Sequence, residues 1–208
     1  MSNGIKVKKR NGRGVEPLDL EKIHVMVEEA CKGVAGVSAS QVEIQSGIQL
    51  YDGITTAEIQ EILIKSASDL IDLDNPNYQF VAARLLLFSV RKSLYGRCRD
   101  IPSLEDHIIK CVGQEVYDAE IYDKYSKEDI EKANGYIDHD RDFMFTYAGL
   151  RQVADKYLVQ DRSTGQVYET PQFMYMMIAL TIFAEYPKET RLNYVLSLIH
   201  ISEPTRPY

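Results

Sequence analysis

Apolar residues recur at helical spacing along most of the chain. Ile23, Met26, Val27 and Ala30 fall on one face of a helix over about Leu20–Gly33, with Asp19 placed to cap it. Ser40-x-x-Glu43 has the form of a capping box and predicts a second helix that stops near Asp52-Gly53. Thr55-x-x-Glu58 is another box, opening a third helix with Ile59, Ile62, Leu63 and Ala67 on one side, and Asn75-Pro76 ends that stretch. A fourth helix runs roughly Tyr78–Tyr95, with Gly96 as its stop. Ahead of all four, Asn11-Gly12 is a strong two-residue turn signal and predicts a short β-hairpin. The first half therefore reads as four helices under a hairpin.

Arg97–Ser103 reads as a linker, because Pro102 forbids a continuing helix. Beyond it the pattern predicts helices over about Leu104–Val112, Lys127–Ala133, Phe143–Tyr157, Pro171–Ala184 and Glu189–Val195. One hairpin interrupts them, with Tyr157–Asp161 and Gln166–Glu169 flanking Ser163-Thr164-Gly165. The chain thus divides into 1–96 and 97–195. The last thirteen residues, 196–208, fit neither part. Leu196-Ser-Leu-Ile-His-Ile-Ser-Glu-Pro-Thr-Arg206 resembles the in-frame translation of a transposase sequencing adapter, with a divergent tail as the alternative. His200 is accordingly left out of functional reasoning.

Composition narrows the function classes. No apolar run is long enough to span a bilayer, and the basic N-terminus lacks the apolar core of a signal peptide. A net charge of −7 argues against generic nucleic-acid binding. Yet the opening residues carry Lys6, Lys8, Lys9, Arg10 and Arg13 without one acid. Such a cluster suits a small polyanion such as a nucleoside triphosphate; on charge alone, a solvated basic arm is the plainer reading. Cys31, Cys98 and Cys111 form no CxxC pair, which excludes a zinc ribbon and suggests a cytoplasmic protein without disulfides.

A triphosphate site needs fixed cations, backbone amides and an apolar slot for the base. Lys9 and Arg10 sit at the hairpin, Lys22 in the first helical turn, Thr56 at the start of the third helix and Lys92 near the end of the fourth. Taken singly, each lysine reads as a solvated surface charge. Ile137-Asp138-His139-Asp140-Arg141-Asp142 bunches carboxylates around a histidine, but no EF-hand pattern follows, and charge pairing with helix capping is the expectation.

Four segments together resemble the ATP-cone, a nucleotide-sensing domain at the N-terminus of ribonucleotide reductase large subunits. They are Val7-Lys8-Lys9-Arg10-Asn11-Gly12-Arg13, Leu18–Ile23, Tyr51–Ile59 and Tyr78–Leu85. Residues 137–147, Lys156-Tyr-Leu-Val159, Glu169-Thr-Pro-Gln172 with Met174–Ala184, and Tyr186–Val195 are similar to the region that follows in the same subunits. The resemblance implies a mainly α fold: a four-helix ATP-cone capped by a small β-hairpin over 1–96, then the helical N-terminal part of the reductase catalytic domain. It also implies ATP or dATP, with Mg2+, as an allosteric effector.

Carried over residue by residue, the resemblance implies a site of Val7, Lys9, Arg10, Glu16, Asp19, Lys22, Ile23, Thr56, Ile59, Gln60, Phe88 and Lys92. Lys9, Arg10, Lys22 and Lys92 would hold phosphates, with Thr56 in support. Glu16 and Asp19 would read adenine or sugar, and Val7, Ile23, Ile59 and Phe88 would form the slot or simply pack the core. Gln60 stands where several dATP-inhibited relatives carry histidine, which puts discrimination of dATP in question.

The resemblance further implies an oxidoreductase that reduces ribonucleoside diphosphates, partnered by a radical-generating small subunit and further large subunits. The family's catalytic residues would lie downstream of Val195, and none of the three cysteines falls in a matching motif. No catalytic or metal residue is therefore assigned, and this stretch alone is expected to be inactive. A nucleotide-sensing regulator or a ligand-free helical interaction domain are the other classes considered.

Overall fold

The computed structural model describes residues 5–9, 14–47 and 49–202. They fall into two compact units, one of the residues up to Ser89 with Phe145–Arg151, the other of Val90–Met144 with the residues from Gln152 on.

In the first unit, β1 (Lys6–Lys8) and β2 (Val15–Pro17) pair antiparallel, with Val7 opposite Glu16. Asn11-Gly12, the expected turn, lies outside the described residues. A third segment completes the small sheet. Gly53 donates its N–H to the Lys6 carbonyl at 2.8 Å, and Lys8 donates to the Ile54 carbonyl at 2.8 Å. Gly53 makes this approach at φ +84, a conformation open to glycine at little steric cost.

Helix α1 (Leu20–Cys31) opens on Asp19, whose carboxylate accepts from the amides of Glu21 and Lys22. α2 spans Ala39–Gly47, and α3 (Thr56–Asp69) starts with the expected capping box of Thr55 and Glu58. α4 runs Tyr78–Tyr95 and is followed by Gly96 at φ +74. It belongs to the first unit through Ser89 and to the second from Val90. The first unit buries Val27, Ala30, Val42, Leu63, Ile64, Val81 and Leu85. Each such aliphatic side chain contributes about 1.5–3 kcal/mol on burial.

Ser40 and Glu43 do not form the expected box. α2 begins one residue before Ser40, and Glu43 Oε1 lies 2.8 Å from His24 Nδ1, an attraction that raises the His24 pKa. α2 also ends at Gly47, short of Asp52.

In the second unit, α5 (Leu104–Gly113) is capped by Ser103, α6 covers Ile121–Lys124, and α7 (Lys127–Asn134) is capped by Ser126. The single helix expected over Phe143–Tyr157 is instead three pieces. A 3₁₀ turn covers His139–Met144, α8 covers Tyr147–Gln152 and belongs to the first unit through Arg151, and a π turn over Val153–Tyr157 closes with Leu158 donating to the Val153 carbonyl at 3.0 Å. The second hairpin forms as β3 (Gln160–Asp161) and β4 (Gln166–Val167). α9 (Pro171–Ile182) starts with its proline in the first turn, and α10 covers Arg191–Ser202.

α10 thus continues past Val195 into the segment set aside in the sequence, and Ile199 is buried with Val195, Leu104, Ile108, Phe173 and Leu180. Residues 203–208 lie outside the described residues. No helix among the described residues is long and apolar enough to cross a membrane.

The 138–142 run takes part in charge pairing. Asp138 caps the Asp140 amide at 3.0 Å and pairs with Arg141 at 3.6 Å. Asp142 is buried against Arg91 at 3.2 Å, and burial pushes its carboxyl up to about 7 despite that cation. Among the described residues no group of histidine, cysteine and acidic side chains is arranged to hold a metal ion.

Tyr78 offers a direct stability test. Its hydroxyl accepts from the Ser38 amide at 3.0 Å and donates to Gln41, holding the start of α2 to α4. Tyr78→Phe leaves the half-buried Ser38 amide without its acceptor while exposed Gln41 turns to water, and should cost on the order of 1 kcal/mol, measured as a lower urea midpoint with unchanged helical circular dichroism.

Candidate functional site

The hairpin and the start of α1 bring four charged side chains of the predicted site together. Lys9 Nζ lies 2.8 Å from Glu16 Oε2, and Lys22 Nζ lies 3.3 Å from Asp19 Oδ2. The two pairs also sense each other, since Glu16 is attracted by Lys22 and repelled by Asp19. The Lys9 hydrogen bond holds the Glu16 carboxyl below its ordinary range, and the Lys22 hydrogen bond does the same for Asp19. The backbone explains the proximity: the chain turns from β2 into α1 within three residues, and the Asp19 cap orients the first turn that carries Lys22.

The start of α3 forms the adjoining edge. Glu58 accepts from the Thr55 amide at 2.8 Å, from the Thr55 hydroxyl at 2.7 Å and from the Tyr51 hydroxyl at 3.0 Å. These bonds lower the Glu58 pKa, with a smaller contribution from Lys8. Thr56 is half-buried as the first residue of the helix. Sequence reasoning identified the box but not the Tyr51 or Lys8 partners, because only the packed hairpin brings them to it.

The apolar candidates are already enclosed. Val7 is 3% exposed, Ile23 8%, Ile59 6% and Phe88 5%, so all four are core residues that could meet a ligand only along the edges of their side chains. Gln60 is 2% exposed and donates its amide N–H to the Leu85 carbonyl in α4 at 3.1 Å. Lys92 lies in the last turns of α4, within the second unit, and Arg10 lies outside the described residues. A cavity of about 580 Å³ is found elsewhere, inside the second unit and bordered by Tyr117, Tyr125, Glu169, Met174 and Ile178. No residue of the predicted site borders it.

Exposed lysines paired with exposed carboxylates can exchange those partners for a polyanion at small cost, because such pairs are screened by water. An anion here would also meet the N-terminal end of the α1 dipole. Cys31 and Cys111 offer no comparable chemistry: burial pushes both thiols up to about 11, so neither is a thiolate at neutral pH.

Residues 5–93, a hairpin and four helices with lysines gathered where strand meets helix, match the family model of the ATP cone domain. Residues 143–201 match the ribonucleotide reductase all-alpha domain. The chain is 46% identical to the ribonucleoside-diphosphate reductase subunit alpha of Haemophilus influenzae and 45% identical to subunit 1 alpha of Escherichia coli, in each case over 99% of this chain. It is 42% identical to the subunit alpha of Enterobacteria phage T4 over 87% of its length. The chain belongs to the ribonucleoside-diphosphate reductase alpha-subunit family and corresponds to the N-terminal region of these proteins. It spans 28% of the length of the two bacterial relatives.

Because both lysines are exposed, Lys9→Ala and Lys22→Ala should leave the thermal unfolding midpoint unchanged at neutral pH. Glu16 and Asp19 titrate below their unfolded values, so whatever stability the pairs add is present above the usual carboxylate range and lost as pH falls through the depressed values. Carboxyl-carbon NMR titration of Glu16 in the Lys9→Ala protein should show its pKa returning upward.

Proposed function

We propose that the first unit, together with the rest of α4, is an allosteric nucleotide site and that the chain works as the regulatory N-terminal region of a ribonucleoside-diphosphate reductase. The Lys9–Glu16 and Lys22–Asp19 cluster at the start of α1 carries this reading, because it places exchangeable cations beside a helix N-terminus in a domain of the ATP-cone family. Residues 1–96 would act as the nucleotide-binding domain and 97–195 as the opening of the catalytic domain.

ATP or dATP would bind with Mg2+ on its phosphates. Lys9, Arg10, Lys22 and Lys92 would take the phosphate charge, with Thr56 as a polar contact. Glu16 and Asp19, released from their lysines, would accept from the adenine amine or the ribose hydroxyls. The base would lie against the edges of Val7, Ile23, Ile59 and Phe88. Gln60 has committed its amide to Leu85, so any use of that side chain in telling ATP from dATP costs a buried hydrogen bond.

ATP would favour the assembly competent for ribonucleotide reduction, and dATP, if discriminated, an inhibited one. Effectors act this way by binding two states with different affinity. A radical-generating small subunit and a second copy of the alpha subunit are the partners this reading requires, in the cytoplasm. The closed packing of Val7, Ile23, Ile59 and Phe88 favours one competing reading, a helical interaction domain without ligand.

Calorimetric titration of the whole chain with ATP and dATP separates the two. Binding is expected, weakened about tenfold or more by Lys9→Ala and again by Lys22→Ala, the loss of one charge-assisted phosphate contact each. A folded chain that takes up neither nucleotide would overturn the proposal and leave the interaction domain.

A further inference from the structure

Arg91 is buried at 3% exposure near the C-terminal end of α4, and its bonding is incomplete. One terminal nitrogen, Nη2, does all the donating, to the His139 carbonyl at 2.6 Å and to Asp142 Oδ2 at 3.2 Å. Among the described residues its Nε has no hydrogen-bond partner, and neither does Asp142 Oδ1, although both atoms are buried. The guanidinium also lies 5.0 Å over the Phe143 ring.

A guanidinium and a carboxylate reach their strongest arrangement as a two-bonded fork, with parallel N–H···O contacts. Here the unused donor and the unused acceptor belong to the same ion pair. A small rotation or slide of α4 that gave up the His139 carbonyl would let the second contact form. The pair therefore has two arrangements of comparable merit. One has a single carboxylate contact plus the carbonyl; the other has two carboxylate contacts. Leaving buried donors and acceptors unmade is costly, so a packed interior does not spread evenly between them. The partners are also positioned from outside α4: Asp142 and His139 lie in the 3₁₀ turn, and Gln172 of α9 bonds to Asp142.

Position along the helix supplies the link to the nucleotide. Phe88, Arg91, Lys92 and Tyr95 stand at i, i+3, i+4 and i+7 of one uninterrupted helix and so share a face. Two of these four are candidate nucleotide contacts.

We propose that Arg91 and Asp142 form a two-position latch through which nucleotide held at the Phe88 and Lys92 face of α4 alters the His139–Met144 turn. The inference rests on the nucleotide-binding reading given above and adds to it a route by which occupancy is reported. Arg91 is a positioning residue in this scheme and touches no ligand.

Hydrogen–deuterium exchange of the whole chain, with and without saturating ATP, tests it in the wild type and in Asp142→Asn and Arg91→Lys. Amides of residues 139–144 should change their exchange rate at least severalfold on ATP addition in the wild type. Both variants should lose that ATP-dependent change while ATP affinity stays within about tenfold, the scale of an ordinary coupling factor. Arg91→Lys keeps the charge but cannot form the fork, so it serves if Asp142→Asn does not fold. ATP uptake without any change at 139–144 in the wild type overturns the latch and leaves the nucleotide site standing. So does an unaltered ATP response in a folded variant, since a merely structural pair would raise exchange equally with and without ATP. Failure of the wild type to bind ATP overturns the site and the latch together.

Discussion

The interior of the first unit is organised by the burial of α4. Between Val81 and Phe88 only Arg84 escapes full burial, and a helix apolar on every side has to be surrounded. The neighbours that surround it are each fixed by a polar bond as well as by packing. Tyr78 holds the entrance of α2, Leu85 accepts from Gln60 of α3, and Arg84 donates to the Ala30 and Lys32 carbonyls at the end of α1. Apolar burial supplies most of the stability and is indifferent to register. These polar bonds are worth about 1 kcal/mol each, but they select one arrangement among many that would bury the same area.

Charge is divided by depth in a way that suits a sensor. Lys9 and Lys22 of the proposed nucleotide site are held at the surface by carboxylates, where exchanging one anion for another is inexpensive. Two arginines of the second unit, Arg91 and Arg191, are deep. Arg191 bonds to Asp129 at 2.6 Å and stacks 4.0 Å over Tyr125, while Arg91 is enclosed beside Asp142. Breaking such buried pairs by removing one partner is strongly unfavourable. The exposed pairs can therefore exchange partners at little cost, whereas the enclosed Arg91–Asp142 pair can shift only between arrangements that keep its charges partnered, as both positions proposed for it do.

Local signals in the sequence were the readable ones. Asp19 and Thr55-x-x-Glu58 each act on amides within three residues, so their roles do not depend on the rest of the chain. Ser40-x-x-Glu43 had the same form and failed, because His24 of α1 offers Glu43 a better partner than a helix amide does. The region from Phe143 to Tyr157 has helical spacing throughout, yet it breaks between Met144 and Tyr147, where the Thr146 hydroxyl accepts from the Gly149 amide at 3.2 Å and starts a new helix. For the site, the sequence placed Lys9, Lys22, Glu16 and Asp19 correctly by element but could not show that they pair. Nor could it separate slot from core at Val7, Ile23, Ile59 and Phe88, since a buried apolar side chain looks the same in both roles.

The Gly53 and Lys8 bonds have a consequence for the order of assembly. A pair of three-residue strands is barely stable in water by itself, and this one gains its third segment from a stretch some 46 residues further on. Closing a loop of that length is entropically costly until the helices between have condensed. On this ground the three-segment sheet sets after α1 and α2, and the cation cluster exists only once it has. A nucleotide that engages the cluster acts on the last step to form and the first to open, so its binding energy goes directly into holding the unit closed.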